Sequence, residues 1–248
     1  MSRGVADIAP ARLALLNGGS VASATLTEGL AIDFAQLLSA AVPGIGAARL
    51  ERMRALEAAG ITKRMALAAQ LLLEADVDLA QLQAHASDTV RGWVCFAIAA
   101  QTGLTLPQRL TAMRPLADDG HFGVREWAWL ALRPHLAESL DEAIALLAPW
   151  TADPSERLRR FACEALRPRG VWCAHLVRLK EEPQLGLPLL LPLRADPAVY
   201  VQDSVANWLN DAAKSRPDWV RGLCAQWLLE SPAAATLRIC KRAQRSIS

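Results

Sequence analysis

The chain is poor in the features that usually betray a site. Its five cysteines (Cys95, Cys163, Cys173, Cys224, Cys240) are odd in number, widely spread and without a Cys-x-x-Cys pair, so neither a disulfide framework nor a zinc site is indicated. The four histidines are scattered, and no two have metal-ligand spacing. A Ser/His/Asp set, a phosphate-cradling glycine loop and a dinucleotide fingerprint are all missing. Aromatics make up only 5%, and no segment alternates polar and apolar residues, which excludes a β-rich fold. Long apolar runs are broken by Pro188 and Pro192 or by Glu74 and Asp76, so no membrane span is expected. The segment MSRGVADIAP lacks a charged-then-apolar targeting pattern, and the expected compartment is the cytoplasm. A net charge of +2 is too small to announce a polyanionic partner by itself.

What is present is helix-forming material, rich in Ala and Leu and 52% hydrophobic, enough over 248 residues for one continuous core. Three segments repeat: ADDGHFGVREWAWLAL (117–132), ADPSERLRRFACEAL (152–166) and ADPAVYVQDSVANWL (195–209). In each, an Asp (Asp119, Asp153, Asp196) precedes by five residues an aliphatic anchor (Val124, Leu158, Val201), and a small or aliphatic residue follows four later (Ala128, Ala162, Val205). The anchor recurs at Val90 and Ile239, giving spacings of 34, 34, 43 and 38 residues. Such periods fit one helix pair per repeat, a unit that buries its apolar face only by stacking on its neighbours. The fold expected is all-α: a HEAT-like helical-repeat superhelix, or α-solenoid, forming a single domain over 1–248. Residues 1–86 would be a less regular N-terminal cap and 87–248 the regular repeats. Partner helices are expected near 106–117, 138–149, 184–194 and 216–229, and N-terminal helices near 29–41, 47–58, 62–75 and 77–86. Asp153 and Asp196 are expected as N-caps ahead of Pro154 and Pro197.

With the anchors in the core, positions two, six and nine residues later share another face. They read Gly92, Glu126, Arg160, Asp203, Lys241; Phe96, Leu130, Glu164, Asn207, Arg245; and Ala99, Arg133, Arg167, Asn210, Ser248. From the second repeat on this grid is polar and alternates in sign, and Asp203, Asn207, Asp211 and Lys214 make a stripe at steps of four and three. A carboxylate on such a face must be paired or serve chemistry. A ladder of ion pairs between repeats fits the pattern as well as a site does. Positive charge gathers late: residues 151–180 hold seven Lys/Arg against three acids, and from Ser231 onward Arg238, Lys241, Arg242 and Arg245 meet no acid. Trp127, Trp150, Trp219 and Trp227 suit packing between helices. Trp172, on the turn LRPRGVW between Arg167, Arg169 and the next helix, fits either the interior or a nucleotide face.

The stretches TLTEGLAIDFAQLL (25–38), HFGVREWAW (121–129), ERLRRFACEALRPRGVW (156–172) and DPAVYVQDSVANWLNDAAKSRPD (196–218) resemble the AlkD/AlkC-type DNA alkylation repair glycosylases, and specifically the AlkC branch. The resemblance implies a superhelix holding duplex DNA in a concave face and excising N3- or N7-alkylated bases, without metal or other cofactor, as a monomer. Residue by residue, it implies that Glu126 is the catalytic carboxylate, Asp211 a second active-site acid and Trp172 the tryptophan of an Arg-Pro-Arg turn. It makes Arg159, Arg160, Arg167 and Arg169 phosphate contacts, with Glu164, Asn207, Asn210, Lys214, Lys241, Arg242 and Arg245 beside them on the DNA-binding face. Two departures stand out. Trp129, Leu130 and Ala131 occupy places where the branch usually has an aliphatic residue and Arg-Pro, and Gln202 and Asp203 stand where it has basic residues after its Tyr-Val; HFGVRE also aligns one residue out, with Arg125 in the carboxylate's place. Two other readings use the same scaffold: a non-catalytic binder of DNA structure and a protein-interaction scaffold.

Overall fold

A computed structural model describes residues 7–247; residues 1–6 of the segment read for targeting, and Ser248 of the polar grid, lie outside them. The chain divides into two compact units, Met1–Ala131 and Leu132–Ser248, with the division inside one helix. The first unit holds α1 (Pro10–Asn17), α2 (Leu26–Ala31), α3 (Phe34–Ala41), α4 (Ala47–Arg54), α5 (Ile61–Glu74), α6 (Leu79–Gln83), α7 (Asp88–Ala100), α8 (Leu106–Ala117) and the start of α9 (Phe122–Glu138). The second holds the end of α9, then α10 (Leu140–Leu147), α11 (Glu156–Glu164), α12 (Val177–Glu181), α13 (Leu187–Leu190), α14 (Val199–Ala213), α15 (Pro217–Glu230) and α16 (Ala234–Ala243). Short 3-10 turns cover Ala148–Ala152 and Pro183–Gly186. Among the described residues there is no strand, and no helix is long and apolar enough to cross a membrane.

The repeat anchors do what their period requires. Val90, Val124, Leu158, Val201 and Ile239 are all buried, as are Ala128, Ala162 and Val205 one turn later. Local chemistry sets the boundaries. Thr105 and Gln108 form a reciprocal capping box at the start of α8, where the expected and observed helix coincide. The helix expected over 29–41 is instead two, because Asp33 accepts the Ala35 and Gln36 N–H groups and starts α3 afresh. The helix expected over 184–194 shrinks to a 3-10 turn and the one-turn α13, in a stretch carrying Pro183, Pro188 and Pro192.

The repeat aspartates are not N-caps. Each accepts the N–H two residues on, Asp119 from His121, Asp153 from Ser155 and Asp196 from Ala198, so the helices start later, at Phe122, Glu156 and Val199. Two of these carboxylates have a second duty. In the first unit Arg91 donates through Nε and Nη2 to Asp119 (2.8 and 3.1 Å) and through Nη1 to the His85 and Ala86 carbonyls. In the second, Arg159 donates to Asp196 (2.6 and 3.1 Å) and through Nη1 to the Asp153 and Pro154 carbonyls. Each arginine follows its anchor by one residue, closes the entry to its own helix and forks onto the aspartate that opens the next repeat of its unit. Arg125 stands at the same register and donates to the Asp119 and Gly120 carbonyls (2.7 and 3.0 Å). Arg125 therefore shares its register and its carbonyl partners' placement with Arg91 and Arg159, and Glu126 is the residue that follows it.

Buried arginines also close helix ends. Arg109 donates to the carbonyls of Ile98 and Ala99 in the last turn of α7 and of Gln101 just beyond it. Arg133, 3% exposed, donates to Ala165 O (2.8 Å), Arg167 O (2.6 Å) and Ala174 O (3.3 Å). It thereby ties the end of α11 to the turn that follows.

Candidate active site

In the first unit the polar face begins at Glu126. The register that carries Glu126 is filled in the preceding repeat by Gly92, where a Cβ would come within 2.6 Å of Trp127 Cδ1 and 2.7 Å of Met65 Cε. Apolar packing therefore occupies that register at Gly92, and a carboxylate first appears in it at Glu126. Glu126 is half-buried, and its Oε2 accepts a 2.7 Å hydrogen bond from Nε1 of the buried Trp129. The departure at Trp129 thus supplies a rigid donor one helical turn from the carboxylate, which fixes the side chain's direction.

In the second unit the polar residues gather on α11, α14 and α16. Glu164 is 4% exposed; it accepts from Ser204 Oγ (2.6 Å) and from Arg167 Nη1 (2.7 Å), with Arg160 Nη2 at 3.7 Å. Arg167 turns its other edge to Asp211, placing Nε and Nη2 at 3.0 and 2.9 Å from Oδ2. Asp211 is also 4% exposed, and Lys214 Nζ stands 3.8 Å from its other oxygen. The two acids respond oppositely to this shared cation. Burial works against the charge on Glu164, yet Arg160 and Arg167 together hold its carboxyl below the usual range. Burial pushes Asp211 above the usual range, since Arg167, with the half-exposed Lys214 further off, offsets only part of it.

The turn after α11 carries Trp172. Leu176 N–H donates to Pro168 O (3.1 Å), Arg133 holds the Arg167 and Ala174 carbonyls, and Arg169 donates to Asp211 O (3.2 Å) and Ser215 Oγ (2.8 Å). A Cβ at Gly170 would sit 2.5 Å from Cys173 Sγ, so a larger residue there would have to displace that thiol. Trp172 has a φ of +60°, the left-handed region that bulky residues avoid, at a cost of about 1–3 kcal/mol. Of its two expected settings the structure takes the outward one, with 52% of the residue exposed.

The remaining residues of the expected face separate into two groups. Arg159 commits its donors to Asp196 and two carbonyls, and Asn210, 3% exposed, donates to Ala243 O and Ser246 Oγ at the end of α16. Both tie repeat to repeat instead of facing outward. Exposed residues are Lys214, Lys241, Arg242 and Arg245, with Arg242 Nε 3.1 Å from Asp203 Oδ1 and Arg245 Nη2 2.9 Å from Asn207 Oδ1. Arg160 stacks its guanidinium 4.5 Å from the centroid of the Tyr200 ring. Position nine is buried in Arg133 and Asn210, because each lies within reach of the carbonyls at a neighbouring helix C-terminus.

No family model matches the chain. By sequence it is 38% identical over 117 residues to the uncharacterized protein YhaZ of Bacillus subtilis, a match covering 47% of this chain and 32% of that one. By structure it resembles the Pseudomonas fluorescens alkylpurine DNA glycosylase AlkC bound to DNA containing an abasic site analog, with a TM-score of 0.68 and 28% identity over 86% of this chain and 61% of that one. Two Streptococcus mutans structures share the fold, smu.31 (TM-score 0.55, 23% identity, 81% of this chain and 92% of that one) and AlkD2 (0.54, 22%, 81% and 89%). The chain thus spans about a third of YhaZ and three fifths of the AlkC chain. The helical-repeat fold is thus the one seen in the AlkC and AlkD2 structures, and the likeness to AlkC extends over 86% of this chain.

Proposed function

We propose that this chain is a DNA glycosylase of the cytoplasm that removes N3- or N7-alkylated bases from duplex DNA by hydrolysis of the glycosidic bond. The observation that carries the reading is the likeness to the alkylpurine glycosylase AlkC over 86% of the chain. An N3- or N7-alkylated purine is already cationic, so its bond to C1′ breaks with the electron pair moving to the base, which leaves neutral. The sugar is left as an oxocarbenium-like cation. A carboxylate beside it stabilises that charge and accepts a proton from the water that adds to C1′. Glu126 is assigned this role, supported by its half-buried setting and by the Trp129 N–H that directs it. In the second unit, Trp172 offers an exposed π face suited to a cationic nucleobase, and Asp211 is read as the second acid. Arg160, Arg169, Lys214, Lys241, Arg242 and Arg245 are read as phosphate contacts.

The decisive assay is release of free methylated base from alkylated duplex DNA by the purified protein. Binding without release would favour the non-catalytic alternative. Two variants test the details. Trp129→Phe keeps an aromatic ring in the core but loses the N–H with part of the indole, so excision is expected to fall by about tenfold with DNA affinity retained; unchanged excision would dismiss Trp129 as a director of Glu126. Lys214→Ala with Lys241→Ala removes two exposed cations, and the slope of log affinity against log salt should flatten by about one to two. A slope that stays put would take both lysines off the interface.

A further inference from the structure

We infer that Arg167 is a positioning residue for Asp211, clamped between that acid and Glu164, and that it does not serve as a phosphate contact. The inference rests on the reading of Asp211 as an active-site acid. Its geometry is specific. Arg167 is only 14% exposed along its side chain and divides its guanidinium between two carboxylates, one edge on Asp211 Oδ2 at 3.0 and 2.9 Å and the remaining nitrogen on Glu164 Oε1 at 2.7 Å. Glu164 is itself tethered by Ser204, so it acts as a fixed post that aims the cation. A planar fork can span two acids in this way, whereas an ammonium group would meet one of them as a point charge. A residue recruited to phosphate would have to give up both buried acids, leaving Glu164 with Ser204 and Arg160 at 3.7 Å and Asp211 with Lys214 at 3.8 Å, which is expensive.

The surroundings of Asp211 leave Arg167 as its main ionic partner. On its own helix, α14, Lys214 stands 3.8 Å away and is half-exposed. From α11 and the turn come Glu164, Arg167 and Arg169, the last bonded to the Asp211 carbonyl and not to its carboxylate. Arg133 bonds carbonyls of the α11 end, and Arg245, beyond α16, bonds Asn207 and its own chain. On α12 and α15, Arg178 pairs with Asp141 and Arg221 with Asp218; Lys180 and Glu181 complete the charges of α12, and Glu230 those of α15. Burial acts to keep Asp211 protonated, and Arg167 is the group placed to oppose it.

The test is a pH titration of the Asp211 carboxyl carbon by NMR in the free protein, compared with Arg167→Gln and Arg167→Lys. Arg167→Gln should raise the midpoint by about one pH unit or more, and Arg167→Lys by less, since it keeps the charge and loses the fork. The acid limb of excision on methylated duplex should move upward with it, while the salt slope of DNA binding stays as in the parent. An unmoved Asp211 midpoint in Arg167→Gln, or a slope lower by about 0.9 in Arg167→Lys, where charge remains but reach changes, or in Arg167→Gln, would overturn the inference. If Arg167→Gln fails to fold, the Arg167→Lys midpoint decides alone. Because the NMR titration involves no DNA, a parent protein that releases no base defeats the glycosylase reading without touching this result.

Discussion

Purified Glu126→Gln protein is expected to release methylated purine about 10²-fold more slowly than the parent, with duplex affinity and melting temperature nearly unchanged. The substitution is close to isosteric, and a glutamine carbonyl oxygen can still accept the Trp129 N–H, so the side chain keeps its direction and loses only its charge. What disappears is the anion opposite the developing sugar cation, an interaction worth far more in the transition state than in the ground state. Base release should fall through kcat, with KM for methylated duplex little altered. Single-turnover release of labelled 3-methyladenine measures this directly, and a variant as fast as the parent would remove Glu126 from the chemistry.

Arg133→Met is expected to cost about 3 kcal/mol of stability, read as a lowered midpoint of urea unfolding. Methionine fills much of the same space but donates nothing, so the carbonyls of Ala165, Arg167 and Ala174 lose their shared partner in a buried setting. The loss is local as well as global. Those carbonyls brace the turn in which Trp172 holds a left-handed backbone, and strain of that kind persists only while its surroundings enforce it. Hydrogen exchange over residues 167–176 should accelerate more than in α14 or α16. Equal protection of that turn in variant and parent would show that Arg133 does not brace it.

The sequence made the helical-repeat architecture plain because anchors such as Val124, Leu158 and Val201 recur with one chemistry at one spacing, and burial follows from that. Polar roles were harder to read, since they depend on partners far along the chain. Asp153 and Asp196 suggested N-caps, a local reading, yet Asp196, like Asp119 before it, answers to an arginine far back in the chain, 37 residues earlier against 28. A signal was available: Arg91, Arg125 and Arg159 each follow an anchor by one residue. Asn210 looked like a surface residue on the helical grid, and the resemblance made Arg159 a phosphate contact, but neither angle around a helix axis nor resemblance speaks of a neighbour's carbonyls or carboxylates. Trp172 could be read either way, because its outward setting depends on the left-handed backbone of its turn. The Glu164, Arg167 and Asp211 arrangement joins residues three and 44 apart, and only the packing of α11 against α14 brings them into bonding range.

The paired Arg159 and Asp196 sit on either side of the longest interval between anchors, 43 residues from Leu158 to Val201 against 34 from Val90 to Val124. The same two-pronged clasp therefore closes over connections of different length, so spare chain can be looped out without disturbing how one repeat seats on the next. The surplus between α11 and α14 includes the turn that carries Trp172. A scaffold fastened at its joints in this way leaves its connecting loops open to remodelling, and new recognition surfaces can be fitted there while the stack beneath stays as it is.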